Sequence, residues 1–463
     1  MIDTKIIKKN SYIKNILGEI PEIAAKISTD SRNLQGAQIF IGLKGPTFNG
    51  ANYCENALKQ NVLIFVYEAE PSIDIEIQAL HRKFPDRCII PTSNVLGFIQ
   101  ELAHTHLKFW KSKTGGISIG ITGSNGKTTN KEMLAHFLEE VFPGGVGFTK
   151  GNLNNHIGVP LTLLAIRETD RVIIVELGTN HPGEIKALCK IAEPDHGLIT
   201  NIGQAHLEFF QNESEVFKEK SELFNYIKAH IKNFQFVIDG DDPELKKLND
   251  EENIISFGEK SKKYQIKYLK NSIQVRHGEE KIVLKNEFIF GKHNFRNLMG
   301  TFLLALALWP QKKAELIAKA ESFKPKINRS SWVTKKNIKI FLDAYNANPS
   351  SMLASIDAFV EYTRELNVFP DSCGFIIGDM NELGELSAVK HRHIGACLKD
   401  YAAKNVNFVG HFTKDFSAGF GADARVFSKA SDLKDIFTYN KEVKYLFIKG
   451  SRSLQLESIL DIV

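Results

Sequence analysis
The sequence is short of everything that marks a secreted, membrane-embedded or disordered chain. Its five cysteines (Cys54, Cys88, Cys189, Cys373 and Cys397) are widely separated, with no CxxC pair and no Cys/His cluster. That spacing excludes a disulfide framework and a zinc finger, and leaves reduced thiols in a cytosolic protein as the expectation. No apolar run reaches the ~20 residues of a membrane-spanning helix; the most apolar helical stretch covers only residues 298–309. Residues 1–9 are charged and lack the apolar segment of a signal peptide. A cytoplasmic location without membrane insertion is therefore expected. Charge is not gathered in blocks: 59 basic and 54 acidic residues are dispersed to a net +5. Pairs such as Lys246-Lys247 and Lys335-Lys336 read as solvated faces. No basic stripe with interleaved aromatics would track a nucleic-acid strand. Repeats and low-complexity segments are absent as well.

What is present is ordinary globular material, 43% hydrophobic and 24% charged, in 463 residues. That length suits about three domains at ~150 residues each. Residues 1–92 read as a small α/β unit with apolar runs at 37–43 and 62–68, and residues 93–324 as a central unit entered by an amphipathic helix over 95–110. In the central unit, β-branched runs at 117–122, 171–177 and 196–202 alternate with helical periods. That alternation predicts a parallel sheet covered by helices, with ligands beyond the carboxyl ends of the strands. Lysine-rich alternating segments at 264–269, 272–276 and 281–284 predict a small antiparallel insert. Residues 325–463 read as a final α/β unit with strands at 338–342, 374–377, 406–409 and 445–448.

The sharpest local feature is Gly120-Ile-Thr-Gly123-Ser124-Asn125-Gly126-Lys127-Thr128-Thr129, set between an apolar strand and a helix. Its glycines let the backbone curl so that N–H groups and a helix N-terminus face phosphate oxygens. Lys127 adds a positive charge, and the Thr128 hydroxyl can hold magnesium. The strict P-loop spacing would put glycine at 121, where this chain has Ile121. A helix-capping turn alone would not need Lys-Thr-Thr after the last glycine, so the loop predicts ATP binding. Glu176 ends a strand at the same edge of the sheet, and His206 follows the next strand. On chemistry alone each has a bland alternative, because magnesium prefers oxygen ligands to imidazole. Lys220, inside a helical segment over 213–228, reads from its neighbours as one surface lysine among several.

These stretches resemble the Mur ligases. The match rests on the phosphate loop and on Gly151-Asn-Leu-Asn154-Asn155-His-Ile-Gly-Val-Pro160. It extends through Glu176-Leu-Gly-Thr-Asn180-His181-Pro-Gly-Glu-Ile185, Gly291-Lys-His293-Asn294-Phe-Arg-Asn297 and Asp343-Ala-Tyr345-Asn346-Ala-Asn348-Pro349. Gly378-Asp-Met-Asn-Glu-Leu-Gly384 and Lys449-Gly-Ser-Arg452 support it. Asn180-His181-Pro-Gly183 and Tyr345-Asn-Ala-Asn-Pro349 point to the branch that adds D-alanyl-D-alanine. The phosphate loop by itself would also fit folylpolyglutamate synthases.

The resemblance implies three domains: an N-terminal UDP-binding α/β domain, a central P-loop ATPase domain and a C-terminal Rossmann-like domain. Thr128, Glu176 and His206 would arrange magnesium, and Lys220 would carry a carbamate. Asn297 would hydrogen-bond adenine beside His293 and Asn294, Asp343 would meet the ribose, and Arg329 the terminal phosphate. Ser31 and Arg32, in Thr29-Asp-Ser31-Arg32, would contact the uridine diphosphate, although Asn49-Gly50-Ala51 departs from the family's frequent Asp-Gly-His. Phe209 stands where a glycine is common, and Thr179 where alanine is frequent. Asn154, Asn155, Asn180, His181, Tyr345, Asn346 and Asn348 would hold the peptide substrates. The implied reaction joins D-alanyl-D-alanine to a UDP-N-acetylmuramoyl tripeptide through an acyl phosphate, in a monomer whose third domain closes over the site. Other amide ligases, a nucleotide-dependent regulator or nucleic-acid motor, and a degenerate binding protein are the alternatives; the set Lys127, Thr128, Glu176, His206 and Lys220 argues against the last.

Overall fold
In the computed structural model, which describes residues 1–34, 36–205, 207–435 and 442–461, three larger sheets follow one another along the chain, beside a two-stranded pair of Ile2–Asp3 with Ala24–Ala25. The first has four parallel strands, Ile27–Ser28, Ile39–Gly42, Ile64–Glu68 and Cys88–Thr92. Helix Val95–Thr114 leaves this sheet and lies across to the central one. Its inward face (Phe98, Ile99, Leu102, Leu107, Trp110) joins Ile41, Val66 and Ile90 of the first sheet to Val159, Leu177 and Phe224 of the central unit in one core. The helix stops at Gly115, whose φ of 65° is a left-handed cap that costs glycine nothing. It runs a turn beyond the expected residue 110.

The central sheet has nine strands. Strand Ile117–Thr122 is flanked by Val172–Glu176 on one side and His196–Ile199 on the other, both parallel to it. The chain builds outward from it in one direction to Val146–Phe148 and in the other to Phe236–Asp239 and Ile254–Gly258. The end of Ile117–Thr122 is thus the point where strand order reverses, and a crevice opens there. This central strand is buried on both faces: Ile117, Ile119 and Ile121 alternate with the small residues Ser118, Gly120 and Thr122, which let covering helices pack close on that side.

The lysine-rich segment differs from expectation in one respect. Tyr264–Leu269, Ser272–His277 and Glu280–Lys285 do form antiparallel pairs, but Tyr264 also pairs with Phe257, so they extend the central sheet rather than stand apart. Strands Val146–Phe148, Phe236–Asp239 and Ile254–Gly258 went unread because they are short or lie beside lysine-rich loops.

The third sheet orders Ser331–Lys335, Ile338–Asp343, Tyr445–Lys449, Cys373–Gly378, Val406–Val409 and Arg425–Phe427, parallel except for the first. Among the described residues no helix is long and apolar enough to cross a membrane. All five cysteines are free thiols, four of them buried.

Candidate functional site
Residues 123–128 curl at the end of the central strand. Gly123 has a φ of 148°, and a Cβ there would come within 1.8 Å of the Thr200 hydroxyl, so only glycine fits. The loop is laced to the segment after His196–Ile199. Ser124 N–H donates to Asn201 O (2.9 Å), Asn125 N–H to Asn201 Oδ1 (3.0 Å), and Thr200 Oγ1 to Asn125 O (2.5 Å). Gly126, at φ 79°, is the residue before helix Lys127–Val141, where a Cβ would strike Asn297 at 2.7 Å. Lys127 folds back so that its amine donates to Gly123 O at 2.7 Å. Burial pulls that amine below the usual lysine range, Glu176 and Glu382 oppose the shift, and the charge of Arg329 adds to it.

Glu176 ends its strand 1% exposed. Its Oε1 accepts from Thr128 Oγ1 (3.1 Å) and Asn154 Nδ2 (2.8 Å), and its backbone N–H donates to Thr149 Oγ1 (3.0 Å). Oε2 is buried without a hydrogen-bond donor, and the nearest cation is Lys131 Nζ at 3.6 Å. Among the described residues no three His, Cys, Asp or Glu side chains cluster as a ready metal cage. His206 lies outside the described residues.

Lys220 corrects the sequence reading. It is fully buried, and its amine has no hydrogen-bond partner. Burial and then the charge of Lys127 push it well below the ordinary lysine range, against the pull of Glu219. The signal was in the spacing: Val216, Lys220, Leu223, Phe224 and Ile227 make one buried stripe of helix Glu213–His230. The helix is capped by the Asn212 side chain and carries Glu213 and Glu215 in its first turn, as its dipole favours. It sits tight on the sheet, because a Cβ on Gly120 would meet Leu223 at 2.8 Å.

The neighbouring Glu219, which the sequence did not single out, organises the turn bearing Asn180 and His181. Its carboxylate accepts from Gly183 N–H (2.6 Å) and Ile185 N–H (2.7 Å), and so caps helix Glu184–Ala192. Glu184 accepts from the backbones of Asn180 and His181, leaving both side chains exposed. The Phe209 ring packs against His181 with centroids 4.3 Å apart and the planes tilted by 48°. Asn155 is partly spent on structure, since its Oδ1 caps helix Gly158–Leu164.

On the far wall, Asn297 Oδ1 accepts from Asn130 Nδ2 (2.9 Å), and Asn130 also reaches Gly126 O (2.8 Å) and takes a bond from Thr301. Asn130 is another residue that sequence reasoning passed over. Asn294 bonds Phe290 O. Burial lowers His293 to about 4.

The third unit reaches the phosphate loop directly. Asn348 Nδ2 donates to Asn125 Oδ1 (2.8 Å), and Asn125 Nδ2 to Ser350 Oγ (3.3 Å). Asn348 is at the same time the capping-box residue of helix Pro349–Glu365. Arg329 lies over the Tyr345 ring at 3.6 Å. It is presented between Asn328 and Ser330, both at positive φ (72° and 48°). Asp343 is engaged within its own unit by Lys449 Nζ (2.5 Å), Ser355 Oγ (2.7 Å) and Ser330 N–H (3.0 Å). Lys449 also bonds Asn346 O, leaving the Asn346 side chain exposed. Ser31 and Arg32 share no hydrogen bond with this cluster; the guanidinium pairs with Asp30 at the surface.

The arrangement can cradle a polyphosphate, offer oxygen ligands beside it and present a buried amine without a hydrogen-bond partner. Residues 121–305 match the family model of the Mur ligase middle domain. The chain is 30% identical to the UDP-N-acetylmuramoyl-tripeptide–D-alanyl-D-alanine ligase of Haemophilus influenzae, over 96% of this chain and 94% of that one. It is 29% identical to the enzyme of the same name from Bacillus subtilis, over 94% and 92%. Among solved structures, MurF from Acinetobacter baumannii superposes with a TM-score of 0.84 at 24% identity, over 99% of this chain and 97% of that one. MurF from Thermotoga maritima, in complex with ADP, does so with a TM-score of 0.77 at 25% identity, over 95% and 96%. Similar to these relatives along nearly its whole length and theirs, the chain belongs to the Mur ligase family, in its MurF branch.

Proposed function
We propose that the chain is the ATP-dependent ligase that joins D-alanyl-D-alanine to UDP-N-acetylmuramoyl tripeptide, supplying the pentapeptide precursor of peptidoglycan. One observation carries this reading: a glycine-built phosphate cradle, Thr128 and buried Glu176 converge at one edge of a parallel sheet, and Asn348 and Ser350 of the third unit close onto the loop. The likeness to named relatives over the full length supports the substrates.

The terminal carboxylate of the tripeptide attacks the γ-phosphorus of ATP, and the bond to ADP breaks. The amine of D-alanyl-D-alanine then attacks the acyl carbon, phosphate leaves, and the nitrogen loses its proton. Lys127 and Arg329 stabilise charge on the transferring phosphoryl group, since such reactions depend on positioning and electrostatics more than on any one acid or base. Asn297 with His293 and Asn294 forms the adenine side, and Asp343 the ribose side. Asn154, Asn155, Asn180, His181, Tyr345 and Asn346 face the peptide substrates, and Ser31 and Arg32 the uridine diphosphate. The units divide near residues 92 and 324.

Magnesium fits the residues present. The orphaned Oε2 of Glu176 and the Thr128 hydroxyl are an oxygen pair suited to an ion that takes oxygen ligands and keeps waters. His206 and a carbamylated Lys220 would complete the set. When bound, the ion neutralises charge on the phosphate oxygens. The unpartnered Lys220 amine, which burial pushes well below the ordinary lysine range, suits addition to carbon dioxide, which forms an N–C bond and releases the proton that the nitrogen loses. The enzyme acts as a cytoplasmic monomer.

Phosphate release from ATP is the direct test. Release that needs both the UDP-tripeptide and D-alanyl-D-alanine, with the pentapeptide identified by mass, is the expected result. Release with another amine alone would keep the ligase and replace its substrate.

A further inference from the structure
Lys131 is a buried cation with no part in the mechanism above. It lies in helix Lys127–Val141, three residues after Thr128 and so on the same face. It is 1% exposed and among the largest fully buried side chains. Its amine reaches two groups outside the helix. One is Glu176 Oε2 at 3.6 Å, the oxygen that no hydrogen bond serves. The other is Gly151 O at 3.5 Å, at the start of the loop carrying Asn154 and Asn155.

The same loop returns to the same carboxylate. Asn154 Nδ2 donates to Glu176 Oε1 at 2.8 Å, and Gly178 N–H to Asn154 O at 2.8 Å. Lys131, Glu176, Asn154 and Gly151 thus close a ring. One side of it is the phosphate-loop helix, one the strand end that presents the carboxylate, and one the loop facing the peptide substrate. Nothing about folding requires a lysine here, because a methionine of similar length would fill the space without desolvating a charge.

We propose that Lys131 is a positioning residue for ligation: it orients the Glu176 carboxylate toward the nucleotide-bound metal and pins the Gly151–Asn155 loop to the phosphate-loop helix. Metal–nucleotide binding and tripeptide binding are thereby coupled through one buried amine. The inference rests on the reaction proposed above. It adds a residue that touches neither substrate, and a linkage between two binding events.

The test uses the full chain as wild type, Lys131→Met, Lys131→Arg, Glu176→Gln and the Lys131→Met/Glu176→Gln double variant. Binding of Mn2+ in the presence of ADP is read from the resonance signal of free Mn2+. Binding of UDP-muramoyl tripeptide without nucleotide is read by calorimetry. Loss of an outer-shell partner typically weakens metal binding on the order of 10–100-fold. Lys131→Met is expected to weaken both ligands by at least about 10-fold and to leave metal-free ADP binding unchanged, while Lys131→Arg recovers part of the metal affinity. In the Glu176→Gln background the same change is expected to cost no further Mn2+ affinity but still to weaken the tripeptide. The double variant also leaves no unpaired buried charge, so it answers the question if Lys131→Met does not fold. Wild-type affinities in Lys131→Met, or an equal further loss of Mn2+ affinity in the Glu176→Gln background, would overturn the proposal. A wild-type chain that binds neither Mn2+–ADP nor the tripeptide would overturn the underlying reaction, and Lys131 with it.

Discussion

Two buried lysines at the ends of parallel strands or on the helices covering them have opposite surroundings. In the third unit, Lys449 is 2% exposed and paired: Asp343 lies 2.5 Å from its amine and Asn346 O 3.1 Å. In the central unit, Lys220 is fully buried with no partner, and its amine is pushed well down by burial and by Lys127. A paired buried charge holds structure together, whereas burial without a partner disfavours the charged form of an amine and costs stability. The first is a strut, whereas the second has no structural partner that accounts for its burial.

Replacing each lysine by methionine should therefore separate activity from stability in opposite directions. Lys220→Met is expected to lower turnover on the order of 10³-fold while leaving the unfolding midpoint equal or higher. Full activity at saturating ATP would remove Lys220 from the chemistry. Lys449→Met leaves Asp343 buried without its cation and should cost about 3–5 kcal/mol in urea unfolding. Adding Asp343→Asn should return part of that loss, and a double variant no better than the single one would break the contrast.

Smaller effects sharpen it. Asn348→Ala removes both the helix cap and the bond to Asn125, and should cost about 1 kcal/mol of stability together with weaker nucleotide binding. Equal ADP affinity in wild type and variant would show that the contact between units contributes nothing to the site. The smallest effect is in pH dependence. His293, lowered to about 4 by burial against the opposing charge of Asp343, is neutral in the fold and gains a proton more readily when unfolded. Its folded value lies below the unfolded one, so stability is full above about 6.5 and declines as pH falls towards 4, with no further loss below. His293→Gln should flatten that part of the curve. An unchanged slope would place the titration on other groups such as His106, which burial also lowers to about 4.

Much of the site was legible where function depends on local backbone. Gly123 and Gly126 sit at φ values of 148° and 79° that glycine alone adopts freely, and the strand–turn–helix around them follows from the residues themselves. Asn348, expected from the resemblance to hold a peptide substrate, is a helix cap that also bonds Asn125. Lys220 was readable in principle, because its spacing from Val216, Leu223 and Ile227 places it on the buried stripe. Its resemblance to surface lysines nearby hid that.

Asn130, Lys131 and Glu219 were not readable, for a common reason. Each acts on a partner remote in the chain: Asn130 on Asn297, Lys131 on Glu176 and Gly151, Glu219 on the backbone at 183 and 185. By itself the sequence determined the phosphate loop, the alternation of strands and helices, and the branch of the family, because these are written in short contiguous stretches. Only the tertiary structure decided which side chains share a carboxylate or a cap, and which amine is buried without a partner. Parallel crossovers bring together residues separated by whole helices, and burial then sets their charge.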